Sequence, residues 1–212
     1  SVASTKAYLT MLLGEYLMAL ALGQRLGRID DATSTELVEA MRHLPVKIEE
    51  ALAYDESIKL LAERFIGHED VYFIGRGLDN AVAMEGSLKM KEISYIHSEA
   101  MPAGELKHGT LALVTEGTPV VVVLTQGDTY DKTVSAIQEV KARGALVIAV
   151  AFEDDDQVGK HADEVLRIPR VPDLLSPVVA IVPLQLLAYY VALARGHEID
   201  QPRNLAKSVT VE

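Results

Sequence analysis

No cysteine occurs among the 212 residues. That excludes disulfides, thiolate metal ligands and a cysteine nucleophile, and it is compatible with a reducing cytosol. Positive charge is scarce as well: 20 Lys and Arg stand against 31 Asp and Glu, for a formal net charge of −11. This balance argues against a broad nucleic-acid or anionic-membrane surface, although one helix N-terminus can still hold a small anion inside an acidic protein. The longest apolar stretches are expected to be broken by charge or proline before the roughly 20 residues of a membrane span. No internal repeat is visible. The first residues, Ser1 to Lys6, are neither an initiator methionine nor a signal peptide, from which a fragment of something longer is expected.

What is present is an ordinary globular composition, 49% hydrophobic and 24% charged, enough to bury one core with appendages. Tyr8, Leu12, Leu13, Tyr16, Leu17 and Leu20 recur at helical spacing, which predicts a helix from Thr5 to about Arg28, capped by Ser4 or Thr5. Ser34 or Thr35 is expected to open a short helix that reaches His43 and stops at Pro45, with another from Ile48 to Phe65. The pattern then changes. Short apolar runs at 71–74, 120–124, 146–150 and 164–168 alternate with helical stretches at 80–95, 129–143 and 177–194. Continuous β-branched runs between helices are strands buried on both faces, which predicts a three-layer α/β/α open parallel sheet. Residues 1–44 then form a helical arm, 45–196 the α/β domain and 197–212 a tail that composition alone would leave loose. Ligands of such sheets bind beyond the carboxyl ends of the strands, which puts Gly75–Asp79, Thr125–Thr129 and Phe152–Asp156 on the expected rim.

Several residues could carry chemistry. Lys89 and Glu92 are three apart on the 80–95 helix, with Glu85 one turn before, so all three share a face. A carboxylate beside an ammonium can move a proton between adjacent carbons of an open-chain sugar; the default reading is a surface ion pair. His108, within Gly104-Glu105-Leu106-Lys107-His108-Gly109, titrates near neutrality and can protonate a ring oxygen, though a lone loop histidine is more often solvated. Gly75-Arg76-Gly77 follows a strand and precedes a helix, the context of a phosphate-binding turn, but Asn80 stands where a dinucleotide fingerprint wants its third glycine. Glu99 lies at a plausible distance for a ribose-binding acid, and a structural turn is the better reading of the glycines. His97, Glu99 and His108 match no metal-ligand spacing, so neither metal nor cofactor is expected. Lys207 can form an imine with a keto sugar only if burial or a nearby cation depresses its pKa.

The wording and order of these segments are familiar. Residues 89–100 (KMKEISYIHSEA), 104–109 (GELKHG), the tail 200–212 (DQPRNLAKSVTVE) and the opening 2–7 (VASTKA) resemble the second sugar-isomerase (SIS) half of the glucosamine-6-phosphate synthases. The resemblance runs end to end and implies a flavodoxin-like SIS fold. It also implies the conversion of fructose 6-phosphate and glutamine-derived ammonia to glucosamine 6-phosphate. By that resemblance Glu92 is the base between C1 and C2, and Lys89 a substrate-site lysine. His108 opens the sugar ring in a neighbouring subunit's site, and Lys207 forms the imine. Ala206, Val2 and Ser4 would contact the substrate. The implied partners are the sugar phosphate, the first SIS half and glutaminase domain of the same enzyme, and a second copy in a homodimer, with no nucleic acid or membrane. The glutaminase cysteine and the phosphate-gripping loop of the first half have no counterpart here, so weak sugar binding and no glutamine hydrolysis are expected. The alternatives are a non-catalytic SIS sensor of sugar phosphates or nucleotide sugars, and a nucleotide site at Gly75-Arg76-Gly77.

Overall fold

The computed structural model describes residues 2–206. Helices α1 (Lys6–Arg25), α2 (Asp31–Leu52) and α3 (Asp55–Ala62) lead into β1 (Asp70–Gly75), α4 (Leu78–Ser94) and β2 (His97–Pro102). There follow β3 (Pro119–Leu124), α5 (Tyr130–Lys141), β4 (Leu146–Phe152), β5 (Glu164–Ile168) and α6 (Ser176–Ala194). The five strands are parallel in the order β2-β1-β3-β4-β5, as the flavodoxin-like expectation requires. Alternate strand residues serve opposite faces. Val71, Phe73, Val121, Val123, Ile148 and Val150 join α4 and α6 in one core, while Tyr72, Ile74, Val120, Val122, Val147 and Ala149 face α5 in the other. β3 and β4 are buried at every position, so these strands are apolar throughout.

Four local expectations are corrected. The second helix does not stop at Pro45; it runs from Asp31 to Leu52, and Pro45 sits on its exposed side. The carbonyl that proline frees can meet water there, while Leu44 is buried beside it and holds the helix to the core. Its cap is Asp30, whose carboxylate accepts from the Thr33 N–H at 2.7 Å, rather than Ser34 or Thr35. The expected helix 48–65 is divided by a turn at Ala53–Tyr54, and its last three residues are a 3-10 turn. Thr5 stands at the N-cap of α1, but neither it nor Ser4 makes a side-chain capping bond.

β2 was not foreseen at all. Its sequence, HSEAMP, is half exposed at the edge of the sheet and carries no apolar run to announce it. α6 lies where a helix over 177–194 was expected, but the expected break of the apolar stretches by proline fails there: Pro177 opens it and Pro183 lies inside it, yet the helix is unbroken and, by length and composition, apolar enough to cross a membrane. Thirteen of its residues are buried against α4, α3 and α2, and that packing accounts for its apolar character. Gly86 of α4 permits the closest part of this packing, since a Cβ there would lie 2.7 Å from Leu184 Cδ1.

Candidate active site

α4 starts at the carboxyl end of β1 and runs back to the amino end of β2, so its two ends lie at opposite ends of the strands. At the first turn, Asp79 is 1% exposed. Its carboxylate accepts from the Thr125 N–H at 2.8 Å, the Gln126 N–H at 3.2 Å and the Thr125 hydroxyl. Burial raises the Asp79 pKa, and the hydrogen bonds from Thr125 and Gln126 oppose that rise. Asp79 thus ties the start of α4 to the loop after β3.

The last turns hold the Lys89 group. Lys89 Nζ lies 3.3 Å from Glu85 Oε1 and 2.6 Å from Glu92 Oε2, and its side chain is 3% exposed. The default reading of a surface ion pair therefore fails, because the ammonium is enclosed between two carboxylates. Burial raises the Glu85 pKa, Lys89 pulls it down and Glu92 pushes it up again. Although Glu92 Oε2 touches the ammonium, the approach has no hydrogen-bond alignment and leaves that buried oxygen without a donor. The contact is an ion pair, and Glu92 Oε2 has no well-aligned donor among the described residues.

Beside Lys89 lies a cavity of about 190 Å³ lined by Ala3, Thr5, Ile93, Gln185, Tyr189, Ile199 and Asp200. Both ends of the chain therefore meet on α4 and α6, where Ala3 and Ile199 pack against Ile93, Ala188 and Ala192. Ser4 Oγ and Gln185 Nε2 are buried without partners among the described residues. With Glu92 Oε2, three of the six such orphaned atoms belong to residues at or next to this cavity. Buried polar atoms are normally paired, so a cluster of unpaired ones marks a place where a polar ligand can complete the bonding.

The tail is not loose over its described part. Tyr95, at φ +60° just after α4, packs against His197 with the rings tilted by 54° and their centroids 4.6 Å apart. Its hydroxyl accepts from the Arg203 N–H at 2.8 Å, and the Arg203 guanidinium lies 4.2 Å from the centre of its ring. Pro202 is buried. The left-handed backbone of a non-glycine residue at this point is strain of the kind that collects at functional sites.

Of the residues expected from sequence, Lys89 and Glu92 come together, and Ser4 is half-buried. Val2 is half-buried and Ala206 exposed, and neither lines the cavity, whereas Ala3 and Thr5 do. His108 does not join them. It is exposed on a 3-10 turn beyond the carboxyl end of β2, while Glu92 is near that strand's amino end. Lys207 lies outside the described residues. Sequence reasoning missed Gln185 and Tyr189, although Gln185 is the one side-chain amide in the apolar run of α6. It also missed Ile199 and Asp200, which only the folding back of the tail brings in.

The expected rim beyond β3 and β4 does hold a larger cavity, about 340 Å³, lined by Thr125, Gly127, Tyr130, Arg170 and Asp154–Asp156 with Asp173. Four aspartates against one arginine make it a poor host for a phosphate, so chemistry favours the smaller cavity beside Lys89 over the larger one. Among the described residues no group of His, Asp and Glu has the makings of a metal site.

The SIS domain family model matches residues 65–195. Over its 212 residues the chain is 54% identical to the glutamine–fructose-6-phosphate aminotransferase (isomerizing) of Symbiobacterium thermophilum and 51% identical to that of Clostridium tetani. All of this chain is matched, and it spans 35% of the length of each relative. A solved structure, the C-terminal domain of glucosamine-fructose-6-phosphate aminotransferase from Francisella tularensis, is similar with a TM-score of 0.89 at 39% identity. That match covers 94% of this chain and 56% of the other.

Proposed function

The chain belongs to the SIS domain family, and on that premise we propose that it supplies half of the active site of an aminating sugar-phosphate isomerase. The reaction is the one named for its relatives, with fructose 6-phosphate and glutamine-derived ammonia giving glucosamine 6-phosphate. The observation that carries this reading is the cavity beside Lys89, at or next to which stand the Lys89–Glu92 ion pair and the unpartnered Ser4 hydroxyl and Gln185 amide. A polyhydroxylated open-chain sugar has the donors and acceptors to satisfy them.

Each step then needs one group. His108 of a second copy protonates the ring oxygen as the anomeric hydroxyl loses its proton, which opens the ring. The Lys207 amine adds to the C2 carbonyl, and loss of water leaves an imine. Ammonia displaces the lysine, and the Glu92 carboxylate takes a proton from C1 and returns it to C2 while the imine nitrogen gains a proton and the C1 hydroxyl loses one, giving the aldehyde of the amino sugar. Lys89, 2.6 Å away, holds Glu92 in place. The positions of Glu92 and His108 towards opposite ends of β2 support a division of the site between two copies, hence a homodimer. The Tyr95 contacts support the role of Lys207: four residues of extended chain from Arg203 reach at most roughly 14 Å, and Tyr95 follows Glu92 by less than one helical turn. Val2, Ser4 and Ala206 are assigned to substrate contact. The remaining phosphate contacts and the ammonia source belong to other parts of the enzyme, in a cytoplasmic setting without nucleic acid or membrane.

Co-expression with the first SIS half of a relative tests the reading. The assembled pair should interconvert hexose 6-phosphates, and Glu92→Gln should lower that rate by about 10²–10⁴-fold. Borohydride should trap fructose 6-phosphate on the wild-type pair and not on Lys207→Ala; undiminished trapping would remove the imine role.

A further inference from the structure

The Gly75-Arg76-Gly77 turn takes no part in the reaction above. Packing explains its glycines. A Cβ on Gly75 would lie 2.5 Å from the Asp79 carbonyl carbon, and Gly77 adopts φ +56°. The arginine between them has no such explanation. Among the described residues the Arg76 side chain makes no hydrogen bond or ion pair, and its Nε is buried without a partner. Its guanidinium instead lies against Gly104, where a Cβ would come within 3.0 Å of Nη1.

Arg76 faces a cavity of about 190 Å³ whose wall also includes Gly104, Lys107, Lys132, Ser135 and Glu139. Three cations there face one carboxylate, an excess of two positive charges in a protein whose net charge is −11. Lys107 pairs with Glu139 at 2.7 Å, which leaves Arg76 and Lys132 uncompensated. Lys132 stands in the first turn of α5, where the helix field favours carboxylates, so helix stability does not explain it. The cations come from three separate segments: the β1–α4 turn, the loop after β2 and α5. They converge at the carboxyl end of the strands, on the side of the sheet where open parallel folds bind ligands.

We propose that this cavity is a phosphate-binding site, distinct from the Lys89 cavity towards the other end of the strands, that takes orthophosphate or the phosphate of a phosphomonoester. Arg76 supplies a planar fork for two phosphate oxygens, while Lys107 and Lys132 balance the dianion. The volume suits a phosphate group with a short attachment and is below the range of sites for larger ligands. None of this draws on the isomerase assignment.

Inorganic phosphate titrated into the 212-residue chain at constant ionic strength, followed by calorimetry and ³¹P NMR, tests the proposal. One saturable site per chain is expected. Lys132→Glu should weaken it by at least about tenfold, with the thermal midpoint in the absence of phosphate unchanged, and Arg76→Gln should remove it. Lys132 is exposed, so its variant keeps the experiment decisive if the arginine variant does not fold. Glycerol phosphate that displaces inorganic phosphate from the wild-type site, and loses this effect in Lys132→Glu, identifies a phosphomonoester as the occupant; failure to displace it identifies orthophosphate. An identical phosphate titration in Lys132→Glu, or equal competition by chloride, overturns the site. So does the absence of phosphate binding in a chain that self-associates through these cations, which would assign them to carboxylates of a second copy.

Discussion

The two ends of α4 each bury a charged side chain, and they treat it differently. Asp79 has hydrogen bonds at both carboxylate oxygens, from two backbone N–H groups and a hydroxyl. Lys89 is equally hidden but sits between two carboxylates, one of which, Glu92, has an oxygen without a well-aligned donor. A buried charge whose bonding is complete fastens two parts of the fold together. One whose neighbours remain unsatisfied is poised to meet a ligand. Burial by itself does not tell a structural charge from a chemical one; the state of its hydrogen bonds does.

The comparison can be broken most directly at Asp79. Asp79→Ala strands the Thr125 and Gln126 N–H groups in the interior and should cost about 3–5 kcal/mol in urea unfolding. A loss below about 1 kcal/mol would mean that the loop after β3 does not depend on α4.

Lys89→Met should cost less, about 1–3 kcal/mol at neutral pH, because Glu85 and Glu92 keep some contact with water. Here pH sharpens the contrast. The folded Glu85 pKa already lies above its ordinary value, so its contribution to stability falls as pH rises from about 4.5 through that raised value. Removing the ammonium that holds it down should raise it further. The variant should therefore recover stability towards the wild type as pH is lowered through the new value. Unfolding curves between pH 4 and 8 check the sign, and a deficit independent of pH would detach Lys89 from its carboxylates.

The smallest effect is expected at Tyr95, where α4 ends and the tail is held. Tyr95→Phe keeps the ring under Arg203 and loses one acceptor, a change of about 1 kcal/mol confined to the tail. Hydrogen exchange should quicken at the Arg203 amide while the strands stay protected. Uniform exchange across the chain would show that the contact is part of the global fold.

Much of the fold was legible because β1, β3, β4 and β5 announce themselves as apolar runs between helices. β2 did not, since a half-exposed edge strand needs no such run, and α2 ran through Pro45 because tertiary packing outweighed a local breaker. At the site, the shared face of Glu85, Lys89 and Glu92 followed from helical spacing, and the wording of the tail and the His108 loop pointed to the family. Spacing could not show that Lys89 is enclosed. Nor could it show that Arg76, rather than the glycines beside it, is the unmatched feature of its turn.

Chemical identity and local period were settled by the chain alone: which groups can accept or donate protons, which share a helix face and which strands must be covered on both sides. Tertiary structure decided how wet each group is and which distant segments meet it. Ala3, Gln185 and Ile199 come from opposite parts of the chain, yet they enclose one lysine. Desolvation depends on all the neighbours at once, and no stretch of sequence contains all of them.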